Sequence, residues 1–91
     1  MPPVYDFVFD DENIEKLARH GITPEQVEQL LENRHKVKRN RPGRRAAWLL
    51  VGRDHGGKCI TLPIEETDQP GRWRPVTGWY SKPAEEAWLD R

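Results

Sequence analysis

The chain has 91 residues and a mass of 10.7 kDa, with 35% apolar and 33% charged residues, which predicts a single domain over 1–91 and excludes a multidomain enzyme. At this size roughly 60% of the unfolded chain's surface leaves water on folding, so a large internal cavity is excluded and an active site is expected as a surface groove. Formal net charge is +0, yet residues 1–33 hold eight acids against Lys16 and Arg19, and residues 34–58 hold nine bases against Asp54, so the molecule should be strongly dipolar.

Val4 to Phe9 alternates weakly, with aromatic and β-branched residues that suit a first strand. Asp10 or Asp11 caps a helix whose Ile14, Leu17 and Ala18 form an apolar stripe, and Gly21 after His20 is placed to stop it in a left-handed turn. Thr23, Pro24 and Gln26 then spell a capping box with proline at the first helical position, opening a second helix that buries Val27, Leu30 and Leu31. Both helices are too short to stand alone and must pack on something else. From His35 the composition turns to β-formers. Pro42-Gly43 marks a turn, and Ala46 to Val51 is apolar on both sides, which predicts a central strand covered on both faces. After a turn at Gly52 to Gly57, Lys58 to Glu66 alternates, with Pro63 expected at an edge or a bulge. Trp73 to Trp79 predicts one last strand with Trp73, Thr77 and Trp79 on a shared face. Ser81 is then expected to cap a short helix with Ala84, Ala87 and Trp88 inward. The order β-α-α-β-β-β-β-α predicts an α+β fold, with the helices packed on a mainly antiparallel sheet.

Several chemistries lack their residues. The chain contains no GxxxxGK[ST], GxGxxG or HExxH. His20, His35 and His55 have no ligand spacing, so no metal and no other cofactor is expected. His20 fits a helix C-cap beside the dipole. Cys59, the only cysteine, cannot form an internal disulfide or a cysteine-ligated zinc cluster and fits a buried strand position in a reducing compartment. No apolar run approaches the ~18 residues of a membrane span, and the opening residues lack the basic-then-apolar order of a signal peptide. A cytoplasmic protein without membrane attachment is expected.

The string RHKVKRNRPGRR holds seven Lys or Arg in twelve residues, and such density attracts a polyanion by counterion release. Lys36, Lys38, Arg39, Arg41, Arg44, Arg45 and Lys58 are the candidate RNA contacts, with Trp79 as a stacking platform. A sheet carrying cations, a histidine, a glutamate and a tyrosine also has the inventory for cutting RNA without a metal. RNA supplies its own nucleophile, the ribose 2′-hydroxyl, so the protein needs a base, an acid and charge stabilisers. Candidate bases are Glu65 and His55, candidate acids His55 and Tyr80, and candidate stabilisers Arg53, Lys58 and Arg74. Each also suits a structural role: His55 in a turn, Glu65 paired with an arginine, Arg74 bridging strands.

The words Phe9-Asp10, Leu17, Arg19-His20-Gly21-Ile22 and Glu25, followed by Gly52-Arg53, Arg74 and Glu85, resemble the BrnT-type toxins over nearly the whole chain. That resemblance implies a RelE-like ribonuclease fold and metal-independent endoribonuclease activity. It also implies a type II toxin-antitoxin pair with a small DNA-binding antitoxin of ribbon-helix-helix type. Where those toxins end the last strand with an "ISAR"-like motif, this chain reads VTGWYSKP. Trp79, or Tyr80 in a register shifted by one, thus stands for an arginine expected to contact the scissile phosphate, and Trp79 is suited to stack a base instead. Two alternatives use the same surface: a non-catalytic RNA-binding module, and a protein-interaction domain whose basic segment docks an acidic partner. Homodimerisation through Trp73 or Trp88 is expected only if these rings are exposed.

Overall fold

The computed structural model describes residues 3–91, and its first helix, α1 (Asp11–Arg19), begins at a reciprocal cap in which Asp10 and Asn13 each accept from the other's backbone N–H. It stops at Gly21, where φ is +75°, a value that spares glycine any Cβ clash and lets the Ile22 N–H reach the Leu17 carbonyl at 3.0 Å. The second helix, α2 (Pro24–Glu32), opens on the predicted Thr23–Gln26 box. The inward face of α1 differs from the expected stripe: Asn13 and Leu17 are buried, whereas Ile14 is 39% exposed and Ala18 is exposed. Asn13 donates its amide to the Val8 carbonyl at 3.0 Å. That bond turns the first turn's polar residue inward and leaves room on so short a helix for Leu17 alone.

The sheet contains β1 (Asp6–Phe7), β2 (His35–Arg39), β3 (Trp48–Arg53), β4 (Cys59–Glu66), β5 (Arg72–Pro75) and β6 (Trp79–Tyr80), and the chain ends on α3 (Pro83–Leu89). Strand order is β1-β5-β4-β3-β2 with β6 also on β4. Only β1 and β5 run parallel. The α+β arrangement of helices on a mainly antiparallel sheet is therefore as expected, with the run from Trp73 to Trp79 divided in two. Pro75 closes β5, and the chain crosses a gap at 76–78 before β6.

That gap explains Pro63. It lies in a central strand, opposite Leu49 of β3, not at an edge. Its carbonyl accepts from the Val76 N–H at 2.9 Å. Because the N–H and C=O of one strand residue point the same way, its missing donor faces the gap, where no ladder continues. Gly78 lies in the same gap, and a Cβ there would sit 2.6 Å from Leu62 Cδ2 and 2.8 Å from Leu17 Cδ2. Gly78→Ala is expected to cost about 1–3 kcal/mol by overpacking. A denaturant midpoint lowered at constant m-value is the readout, and an unchanged midpoint would mean that the two leucines move aside freely.

The break also reverses side-chain parity. Trp73 is 3% exposed in the core under α1 and α2, while Trp79 pairs with Thr61 and looks to the opposite face. The shared face expected for these two rings is thus corrected, and Trp73 offers no dimer contact. Trp88 is half-buried, beneath Lys36 and Lys38. Ser81 does not cap α3. Its hydroxyl lies 2.8 Å from that of Thr61, and Lys82 occupies the N-cap with Pro83 at N1. Ala84 and Ala87 are exposed, and Leu89 makes the buried contact in their place, on Val51 and Cys59.

The two faces are therefore covered unequally. On one, α1 and α2 lay Leu17, Val27 and Leu30 over Leu50, Ile60, Leu62 and Ile64, all fully buried. On the other, α3 covers only the corner around Val51 and Cys59. The part of the second face over Leu49 and Pro63 has no helix above it. Among the described residues, no helix is long and apolar enough to cross a membrane.

Candidate functional site

The uncovered part of the sheet is a groove of about 420 Å³, within the ~300–1,000 Å³ typical of small-ligand sites. Leu49, Pro63, Val76 and Trp79 supply apolar surface, Arg41, Arg44 and Arg45 come from the β2–β3 loop, and Lys82 and Glu85 come from the start of α3. The Pro42-Gly43 turn carries the loop's guanidinium groups to this rim, with Gly43 at φ +84°. Of the four cations, Arg45 alone is paired among the described residues. It meets Glu65 at 3.2 Å and Glu12 at 3.6 Å. Arg41, Arg44 and Lys82 make no ion pair among the described residues. A second hollow of about 200 Å³ beside Trp73 has one basic group, Arg72, and that is bound to Asp6 at 3.1 Å.

Glu85 is the one carboxylate in the groove wall. Its Oε1 accepts from the Lys82 backbone N–H at 2.7 Å, from the Trp79 indole Nε1–H at 3.0 Å and from the Thr61 hydroxyl at 3.1 Å. These bonds hold the indole and the first turn of α3 in fixed positions.

Beside the groove stands an ionic cluster centred on Arg74, whose side chain is 15% exposed. It donates to Asp10, to Glu12 at 2.8 Å and to Glu65 at 3.1 Å. The guanidinium holds the Asp10 and Glu12 carboxyls below the usual carboxylate range, and chiefly its bonds with Asp10 raise its own pKa. Arg45 shares Glu65 and Glu12 with Arg74, which links the cluster to the groove.

The five residues expected to carry catalysis fall in three places. Glu65 and Arg74 are together, next to the groove. Arg53 is on the same face at the far end of β3, where it donates to Glu86 at 2.9 Å, Asp90 at 2.8 Å and the Gly57 carbonyl at 3.0 Å. The Glu86 bond is the main reason its pKa is raised, and the residue fastens α3 to the sheet. His55 and Tyr80 lie on the α2 side. The His55 Nε2 is 3.3 Å from Glu32, and the Tyr80 hydroxyl donates to the Gly21 carbonyl and accepts from Gln26, each at 3.2 Å. Between them, the β3–β4 turn is held by buried Asp54. Burial alone would raise its pKa, but donors from Gln26 and the backbone of Lys58 and Gly56 bring it down.

The expected RNA contacts divide likewise. Arg41, Arg44, Arg45 and Trp79 line the groove. Lys36 and Lys38 share its face but lie over the Trp88 ring, at 5.4 and 4.7 Å. Arg39 lies over Trp48 at 4.9 Å on the opposite face, and Lys58 over Tyr80 at 5.3 Å. Lys82 and Glu85 were not legible as site residues. The signal available was Pro83 at N1 with Glu85 at N3, which starts α3 at Lys82 and so brings both residues to the groove wall. Neither a protein-family model nor a curated protein matches the chain.

Proposed function

We propose that the groove holds a single strand of RNA. The observation that carries this reading is the set of Arg41, Arg44 and Lys82, three cations without ion-pair partners among the described residues, around an indole on an apolar floor. Cations track phosphates, and an aromatic ring lining a groove takes an unpaired base that a duplex would keep stacked within itself. The test is binding of a fluorescent single-stranded RNA over a salt series. With three to four phosphates contacted and a slope near −0.7 for each, log affinity should fall against log salt with a slope of about −2 to −3. Binding that ignores salt, or no binding, overturns the reading.

A second reading, cleavage of that strand by the toxin half of a type II pair in the cytoplasm, is favoured by one observation: the carboxylate of Glu85 and the ammonium of Lys82 line the same groove as the guanidinium groups. A base would take the 2′-hydroxyl proton, the oxygen would attack the adjacent phosphorus, and the 5′ oxygen would leave with a proton from an acid. The products would be a 2′,3′-cyclic phosphate and a 5′-hydroxyl, with the cations stabilising the extra charge at phosphorus. A small ribbon-helix-helix antitoxin would neutralise it by laying carboxylates over Arg41, Arg44 and Lys82. Incubation with RNA in EDTA should yield cyclic-phosphate ends. Intact RNA that is nevertheless bound would leave the binding reading in place and remove this one.

A further inference from the structure

We infer that Glu85 reads the ribose 2′-hydroxyl of a strand in the groove and so makes the site prefer RNA to DNA, an assignment that rests on the strand-binding reading above. Its Oε1 is fully engaged, accepting from Lys82, Trp79 and Thr61. The Thr61 hydroxyl is itself buried and bonded to Ser81, so this anchor is rigid. Oε2 has no hydrogen-bond partner among the described residues, and no buried side-chain oxygen or nitrogen there is left unpaired, so Oε2 is accessible to solvent on a side chain that lines the groove. A carboxylate beside a polyanion site costs affinity unless the ligand brings it a proton donor. Phosphodiesters and deoxyribose bring none and base N–H donors are common to DNA and RNA, whereas ribose adds one per nucleotide that RNA alone carries. The indole edge of Trp79 is tied to the same carboxylate, so a nucleoside lying on that ring has Glu85 at its margin. An ionised acceptor facing a hydroxyl makes one of the stronger hydrogen bonds.

The experiment uses three oligonucleotides of one sequence, ribo, deoxy and 2′-fluoro, the last keeping the ribose pucker while lacking the donor. Wild-type protein should bind the ribo strand about tenfold more tightly than either analogue, the fold-change of one charge-assisted bond. Glu85→Gln keeps an oxygen for the three anchoring donors, so the melting temperature should hold. The gap between ribo and 2′-fluoro strands should close to about twofold, with the deoxy strand bound more tightly than by wild type. Equal binding of all three strands by wild type overturns the role of Glu85 and leaves the groove reading intact. So does an undiminished gap in the variant, which would give the preference to another group. Failure to bind any of the three overturns both.

Discussion

Replacing Arg41, Arg44 and Lys82 together by alanine is expected to weaken single-stranded RNA binding about 100-fold at low salt, with almost no change in folding stability. Each side chain is solvent-exposed and lies at the rim of the groove, so each lost phosphate contact is worth about 1 kcal/mol, and three together about two decades of affinity. The salt slope should shrink by about 2, because three fewer counterions are released. Stability should move by less than about 0.5 kcal/mol, since none of the three makes an ion pair among the described residues. Lys36→Ala with Lys38→Ala is the matched control. It removes two charges, against three, from the same face, but its ammonium groups are committed to Trp88 and, for Lys36, to the Trp88 carbonyl at 2.9 Å. That pair should lower stability and affect binding less. Equal loss from both variants would mean that RNA responds to net charge alone and that the groove is not its seat.

The parts of the fold legible in the sequence are those set by chemistry within four or five residues. The cap before α1, the Thr23–Gln26 box, the Gly21 stop and the Pro42-Gly43 turn each satisfy local backbone groups, so the pattern suffices, although the Asn13 half of the first cap was not legible. What was not legible depends on partners distant in sequence. Asn13 turns inward because the Val8 carbonyl lies there. The Trp73–Trp79 run ends its first half at Pro75, and no ladder resumes opposite Pro63, on the neighbouring strand, which cannot donate into the gap. The basic loop was visible as charge density, and the structure carries part of it to the groove. Trp79 and Tyr80 are both site candidates in the sequence, and the pairing of β6 leaves Trp79 in the groove and Tyr80 against α2. Arg53 looked like a free cation because Glu86 and Asp90 lie more than thirty residues later. The sorted charge has a spatial counterpart: Glu25, Glu28 and Glu32 are exposed on α2, on the face away from the groove.

Arg74→Ala is expected to destabilise the fold by about 2–3 kcal/mol near neutral pH, somewhat less than the 3–5 of a fully buried pair. The loss leaves Asp10, Glu12 and Glu65 near one another, with Arg45 reaching Glu12 and Glu65 and Lys16 near Glu12 as the remaining cations. Arg74→Lys should recover part of this, because an ammonium supplies the charge without the planar fork that reaches three carboxylates. The effect should depend on pH in a defined direction. In wild type the Asp10 and Glu12 pKa values are lowered by folding, chiefly through their hydrogen bonds with Arg74. Their contribution is therefore complete above the ordinary carboxylate range and is lost as pH falls through the lowered values. In Arg74→Ala the same carboxylates repel, so protonation relieves strain between them. The gap between variant and wild type should consequently narrow from pH 7 toward pH 3, read from urea midpoints at each pH. A gap that stays constant over that range would show that Arg74 acts through packing of its stem and not through its charge. The groove should respond as well. With Arg74 gone, Glu65 draws more strongly on Arg45, and RNA affinity should fall even where the protein remains folded.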